Sequence, residues 1–346
     1  MRSGARNTDF ELIRSLMLGA AAISLSGCSS GGGGGTGGAG LTTGPTTYTT
    51  SDRFSYSNAP VHAKGLTARM SGTGDFTGAA PIITSVTATT ASGATNALVT
   101  VRDNTGPTTG IAPQILELSV PGGPNTGPMT GIMAGNGAGQ YLAAADNCRT
   151  GPCTAEVALG NELGATALSY SYIGIGRVNT VTATTAESSV VALFGGQETG
   201  TDMPTRGTAT YRGTFSANEL AVSPTRNLST STSLNGSTDL SVDFSGKTVA
   251  GTVSQIAATP LNPDGSTGPT SAWTNGIGFT GTISGSGYAG EAHLTAAGAP
   301  VAGSTGTIVG GFYGPAAAES VGAVAIETRS TDTTRLLVGD FATKKR

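Results

Sequence analysis

From residue 207 to residue 341 the chain alternates, with a period of two, between a face of glycines and large apolar side chains and a face of threonine and serine. In 208–215 Ala209, Tyr211, Gly213 and Phe215 share one face, opposite Thr208, Thr210, Arg212 and Thr214. Val249, Gly251 and Val253 repeat the pattern, as do Ile277, Phe279, Gly281 and Ile283, then Gly306, Ile308, Gly310 and Phe312, and finally Leu337, Gly339 and Phe341. This is the pattern of an antiparallel sheet with one face buried and one wetted. Eight such segments are read at 207–215, 237–244, 247–256, 276–284, 288–296, 305–312, 321–328 and 334–341. Turn clusters separate them: SGKT at 245–248, SGSG at 284–287, GPAAAE at 314–319 and RSTD at 329–332. A two-sheet sandwich would show the same alternation. The mixture of glycine with bulk favours a small closed barrel, whose tapered interior needs both. A membrane-spanning barrel fits poorly with the outward face, which is Thr, Ser and Arg and not an apolar band.

The first 27 residues are an address. Arg2, Arg6 and Arg14 precede the apolar stretch SLMLGAAAISL at 15–25, which falls short of the ~20 residues a bilayer span needs. The next residues, LSGC at 25–28, resemble the lipobox of bacterial lipoproteins. That resemblance implies that residues 1–27 are removed and that Cys28 becomes the lipidated first residue. The alternative is an ordinary signal peptide with an incidental cysteine. Ser29 stands where an aspartate would signal inner-membrane retention, which favours the outer membrane. The glycine-rich stretch after Cys28, within 28–50, reads as a flexible tether between lipid and folded domain.

Between tether and barrel, 51–205 is read as a β-rich domain, with strand-like stretches at 82–89, 97–101, 115–120, 165–175 and 189–195. The Gly/Pro-rich run at 121–139 reads as a long loop, pinned to the body or offered to a partner by Met129, Ile132 and Met133. Of three cysteines, Cys148 and Cys153 remain after Cys28, and in an exported protein this pair reads as a disulfide across a turn. A metal site would need two more soft ligands, and the chain has only His62 and His293.

The residues for catalysis are missing from the sequence pattern. His293 sits in GEAHLTA beside Glu291 and reads as a surface histidine, and His62 has no acidic neighbour. The glycine loop GTGDFTG at 72–78 precedes no helix-forming stretch, so no helix N-terminus would meet a phosphate. Net charge is −3 with 11% charged residues, which gives no footprint for nucleic acid. The basic KKR at 344–346 reads as a solvated tail, and Glu319 as a turn or barrel-rim residue. No enzyme and no cofactor are expected.

Three stretches carry a family resemblance. GGFYGPAAAESVGAV at 310–324 resembles the signature of the transferrin-binding protein B-like barrel domain: a strand ending in Phe, a Gly-Pro turn, small residues with a glutamate, and a glycine in the next strand. DMPTRGTATYRGTF at 202–215 is similar to that family's first barrel strand, and VDFSGKTVAGTV at 242–253 to its tight hairpin. The resemblance implies an all-β protein, with a handle-like domain at 51–205 ahead of an eight-stranded antiparallel up-and-down barrel at 206–346. It also implies a lipid-anchored, cell-surface binding lipoprotein of a Gram-negative outer membrane. Its ligand would be a protein or a haem carrier, taken up with an outer-membrane receptor in iron acquisition. The alternative is a structural or adhesion lipoprotein of the envelope with no small ligand. No ligand-contact residue of the family maps onto this chain.

Overall fold

The computed structural model describes residues 61–75, 82–103, 114–119, 129–135, 140–148, 151–158, 170, 173–181, 185–193, 202–223, 228–262 and 266–346. The address, Cys28 and the tether lie outside them. The described elements are all strands. Eight form the first group: β1 (Val61–Asp75), β2 (Ile82–Asp103), β3 (Gln114–Ser119), β4 (Met129–Gly135), β5 (Gln140–Cys148), β6 (Gly151–Ala158), β7 (Gly174–Val181) and β8 (Thr185–Leu193). Ten follow: β9 (Thr208–Ser223), β10 (Leu228–Asp243), β11 (Thr248–Leu261), β12 (Ser271–Ala272), β13 (Gly276–Ser284), β14 (Gly287–Ala296), β15 (Ala299–Pro300), β16 (Ser304–Tyr313), β17 (Glu319–Arg329) and β18 (Thr334–Lys345).

Strands β1 to β8 pair antiparallel in chain order, and β8 returns to β1, so this sheet is a closed barrel. The strand pattern expected at 82–89 and 97–101 is one strand, β2, and the supposed loop at 121–139 contains β4. Residues 72–75 of the glycine loop belong to β1. These differences have one cause. Small and polar residues fill this region, so its alternation is weak, and pairing with neighbours decides which residues extend.

The second sheet runs β10-β9-β18-β17-β16-β14-β13-β11, and β10 also pairs with β11. Omitting the two-residue β12 and β15, eight antiparallel strands follow one another in chain order and close on themselves. This is the up-and-down barrel expected from the alternation, and the sandwich is excluded. The eight segments read from the sequence each fall in one of its strands. The error lies in the first hairpin. β9 continues to Ser223 and β10 starts at Leu228, pairing from Thr208↔Asp243 to Ser223↔Leu228. The apolar signal fades there because the inward face carries Ala217, Glu219 and Ala221, while Leu220 and Val222 face outward and are buried.

The barrel core is one cluster of inward side chains. It includes Tyr211, Phe215, Leu234, Leu240, Phe244, Phe279, Tyr288, Ile308, Phe312, Val324, Leu337 and Phe341. Phe312 stands among Tyr211, Phe244 and Tyr288, with ring centroids 5.8, 5.8 and 5.3 Å away. Phe279 stacks on Phe341 at 5.3 Å. The glycines make room for these rings: Gly251 is opposite Phe279, Gly310 opposite Tyr288, and Gly322 opposite Phe341. A Cβ at any of the three would overlap the facing ring. Glycine and bulk on one face are thus paired across strands, with an aromatic covering each small position.

The outward face is not uniformly wettable. Thr248, Thr252, Thr280 and Thr282 are exposed, as their residue types require. On β16, β17 and β18 the outward residues Val309, Val321, Ala323, Ala325, Leu336, Val338 and Ala342 are all at most 5% exposed and lie outside the barrel core. Strands β1, β2 and β8 pack on this side. Thr90 donates its hydroxyl to Thr307 Oγ1 at 2.6 Å, and the Tyr170 hydroxyl donates to the Ala342 carbonyl at 2.7 Å. The expectation of a Thr/Ser exterior therefore fails over three strands, because the first sheet covers them.

Candidate functional site

Strand direction gives the barrel two distinct ends. One end holds the turns at 244–247, 285–286 and 314–318; the other holds the longer connections at 262–275 and 297–303 with the turn at 330–333.

The first end is closed. The GPAAAE turn places Gly314, Ala316 and Ala317 at φ of 74°, 50° and 58°. Two successive alanines in the left-handed region each cost roughly 1–2 kcal/mol, so surrounding contacts must hold them. The Ala316 N–H donates to Asp202 Oδ2 at 2.7 Å, the Ala317 carbonyl accepts from the Tyr211 hydroxyl at 2.7 Å, and the Ala318 carbonyl accepts from the Lys345 N–H at 2.9 Å. Ala317 is fully buried and joins the core. The signature is a plug, and its small residues are the ones that can enter a barrel end.

Glu319 begins β17 beside this plug, on the rim as expected, but only 1% exposed and opposite Lys344. Lys344 and Lys345 belong to β18, and the Arg346 N–H donates to the Thr210 carbonyl at 3.0 Å. The KKR segment is therefore docked on the barrel, not a solvated tail. Backbone pairing carried β18 beyond the last apolar residue.

The second end is where side chains remain available. Trp273, the only tryptophan of the chain, is half-buried against the core, as is Val301. The Trp273 N–H donates to the Ile256 carbonyl at 2.7 Å, just past a bulge where Gln255 takes φ 54°. Pro260, Ala272, Ala299 and Pro300 are exposed around this end. Within the barrel wall Glu219 is buried and meets half-exposed Arg335, with Oε1 to Nη1 at 3.4 Å. Burial raises the Glu219 carboxyl above its ordinary value, and the guanidinium partly opposes that rise. Glu327 and Arg329 form a second, exposed pair on the rim.

The interior between these ends is filled. The core side chains from Tyr211 to Phe341 are at most 8% exposed, with rings in contact across the bore. An eight-stranded barrel has room for packed side chains or one small ligand, and here side chains take the space.

The two histidines and the cysteine pair singled out in the sequence stand on four different strands. His293 is half-buried on the outward face of β14, two residues from exposed Glu291. His62 is in β1. Cys148 ends β5 opposite Gly151, and Cys153 in β6 is opposite Ala145. Among the described residues no group of three His, Cys, Asp or Glu side chains could hold a metal ion. Trp273 was not singled out by sequence reading. Its signal was its rarity, in a stretch with no alternation.

The architecture is that of a solid-cored, up-and-down β-barrel domain, plugged at one end and bearing its loops at the other. Residues 203–345 match the family described as C-lobe and N-lobe beta barrels of Tf-binding protein B, and this part of the chain is a transferrin-binding protein B-like β-barrel domain. Among solved structures, the vaccine antigen transferrin binding protein B of Haemophilus parasuis Hp5, as a double mutant, is similar at 14% identity, covering 84% of this chain and 76% of that one, with a TM-score of 0.38. The isotype 1 protein of serogroup B Neisseria meningitidis is similar at 14% identity over 75% and 59%, with a TM-score of 0.34. A comparison with curated proteins finds no match.

Proposed function

We propose that this chain is a lipid-anchored, surface-exposed lipoprotein of the outer membrane that binds a protein ligand through the loop end of its barrel. Cys28 carries the lipid, 28–50 is the tether, and 51–205 and 206–346 are the two folded parts. Cys148 and Cys153 form a disulfide that stiffens the β5–β6 hairpin. The family match at 203–345 supports a binding module, and relatives bearing that barrel are named for transferrin. The filled bore carries the choice of ligand class. A haem or similar small molecule has no internal space in this barrel, so recognition falls to the outer surface, where the half-buried Trp273 offers the large aromatic anchor typical of protein interfaces.

The test immobilises the chain from Ser51 onward and offers transferrin, haemoglobin as a haem carrier, and free haemin, alongside protease shaving of intact cells. Saturable retention of a carrier protein, together with loss of the surface protein to protease, supports the proposal. Trp273→Ala should then weaken retention at least about tenfold, and Trp273→Phe less. Stoichiometric binding of free haemin would overturn the choice of ligand class. Protection from protease, with retention of envelope components alone, would favour the structural reading.

A further inference from the structure

We propose that the closed end of the barrel is a basic docking face for the phosphate-bearing headgroups of the bilayer, adding a second contact to the acyl anchor. The inference rests on the lipid-anchored reading of Cys28. Among the described residues six cations gather at this end and on the strand ends leading to it: Arg206, Arg212, Lys247, Lys344, Lys345 and Arg346. Four described carboxylates accompany them, Asp202, Asp239, Asp243 and Glu319, in a chain whose overall charge is −3.

These carboxylates are already engaged. Asp202 accepts from the Ala316 N–H at 2.7 Å, and Asp243 Oδ1 accepts from the N–H groups of Ser245 and Gly246 at 2.9 and 3.0 Å. Asp239 lies 3.9 Å from Arg212, and Glu319 is buried opposite Lys344. Arg206, Lys247 and Arg346 are exposed and have no ion-pair partner among the described residues.

The cations are held on one rigid rim. The Phe244 N–H donates to the Gly207 carbonyl at 3.0 Å and the Gly207 N–H to Ser245 Oγ at 3.0 Å, joining Arg206 to the turn that carries Lys247. The Arg346 N–H bonds to Thr210, and Lys345 donates Nζ to the Ala316 carbonyl at 3.3 Å while lying over the Phe244 ring. Among the described residues the opposite end has no such surplus, since Arg329 and Arg335 are paired with Glu327 and Glu219 and Asp332 is exposed. Fixed cations facing an anionic surface gain attraction without the ordering penalty of a loose tail, and lipid anchors are commonly reinforced by a basic patch. This orientation turns the loop end and Trp273 away from the bilayer.

The test uses the full chain with Cys28→Ser, so that no acyl chain contributes, and vesicles of phosphatidylcholine alone or mixed with phosphatidylglycerol. The protein should sediment with the mixed vesicles, not with the neutral ones, and should come off as salt shortens the screening length. Combining Arg206→Glu, Lys247→Glu and Arg346→Glu should lower the partition on the order of a hundredfold or more with an unchanged melting temperature. Lys247 occupies a left-handed turn position, so Arg206→Glu with Arg346→Glu serves as the variant that leaves the turn untouched. Equal partition onto neutral vesicles, or undiminished partition of the charge-reversed chains, would overturn the proposal. The anchor is read separately, from whether Cys28→Ser frees the protein from cell membranes after a high-salt wash.

Discussion

Gly322 and Phe341 show how one residue type carries the barrel. Phe341 lies across from Gly322 and stacks on Phe279, so the ring has no free direction in which to retreat. Gly322→Val should destabilise the protein by about 1–3 kcal/mol through overpacking, measured as a fall in the denaturation midpoint. Titrating groups give a second check. Burial raises the phenols of Tyr211, Tyr288 and Tyr170, the last to about 12, above the ordinary 10.0. A raised folded-state value means the neutral phenols favour the fold below pH 10, and that this contribution is lost as pH climbs beyond it. Phenolate absorbance of these three should therefore rise only together with loss of structure. The same sign applies to Glu219, whose carboxyl burial also raises. Its protonated form favours the fold at acid pH, and that contribution is lost as pH rises. Glu219→Gln should thus melt higher than the parent at pH 7, with the gap narrowing in acid.

At the scale of elements, the plug explains why the signature has its composition. Ala316 is exposed at φ 50° with its N–H on Asp202, so a side chain larger than a methyl meets backbone strain without compensation. Ala316→Val should cost more than about 1 kcal/mol, whereas Ala316→Gly should be neutral or stabilising, as read from thermal melts. The strand positions were legible because alternation and turn clusters act locally. The extension of the β9–β10 hairpin was not, since Ala217, Glu219 and Ala221 carry no apolar signal and only the neighbouring strands make that stretch extended. The same reason hid β5 and β6 and the docking of Lys344 and Lys345.

For the whole molecule, the covered face of β16 to β18 matters most. Val309, Val321, Leu336 and Val338 each contribute roughly 1.5–3 kcal/mol when fully buried, and together approach the 5–15 kcal/mol net stability of an ordinary domain. The barrel and the first sheet should then unfold as one unit. Residues 203–346 produced alone should self-associate, detected by light scattering, and Leu336→Asp with Val338→Asp should restore the monomer. A signal for this was present in 321–326, a continuous apolar run without alternation, as expected of a strand buried on both faces.

Local rules were sufficient for part of this protein. Period-two alternation, glycine set against bulk, and turn residues at short intervals specify an antiparallel up-and-down barrel, because each depends on residues close along the chain. The candidate site needed the tertiary structure. Whether the bore is solid, which end is plugged, which face is covered and where Trp273 stands depend on side chains from strands far apart in sequence meeting across the barrel, and no local pattern records that distance.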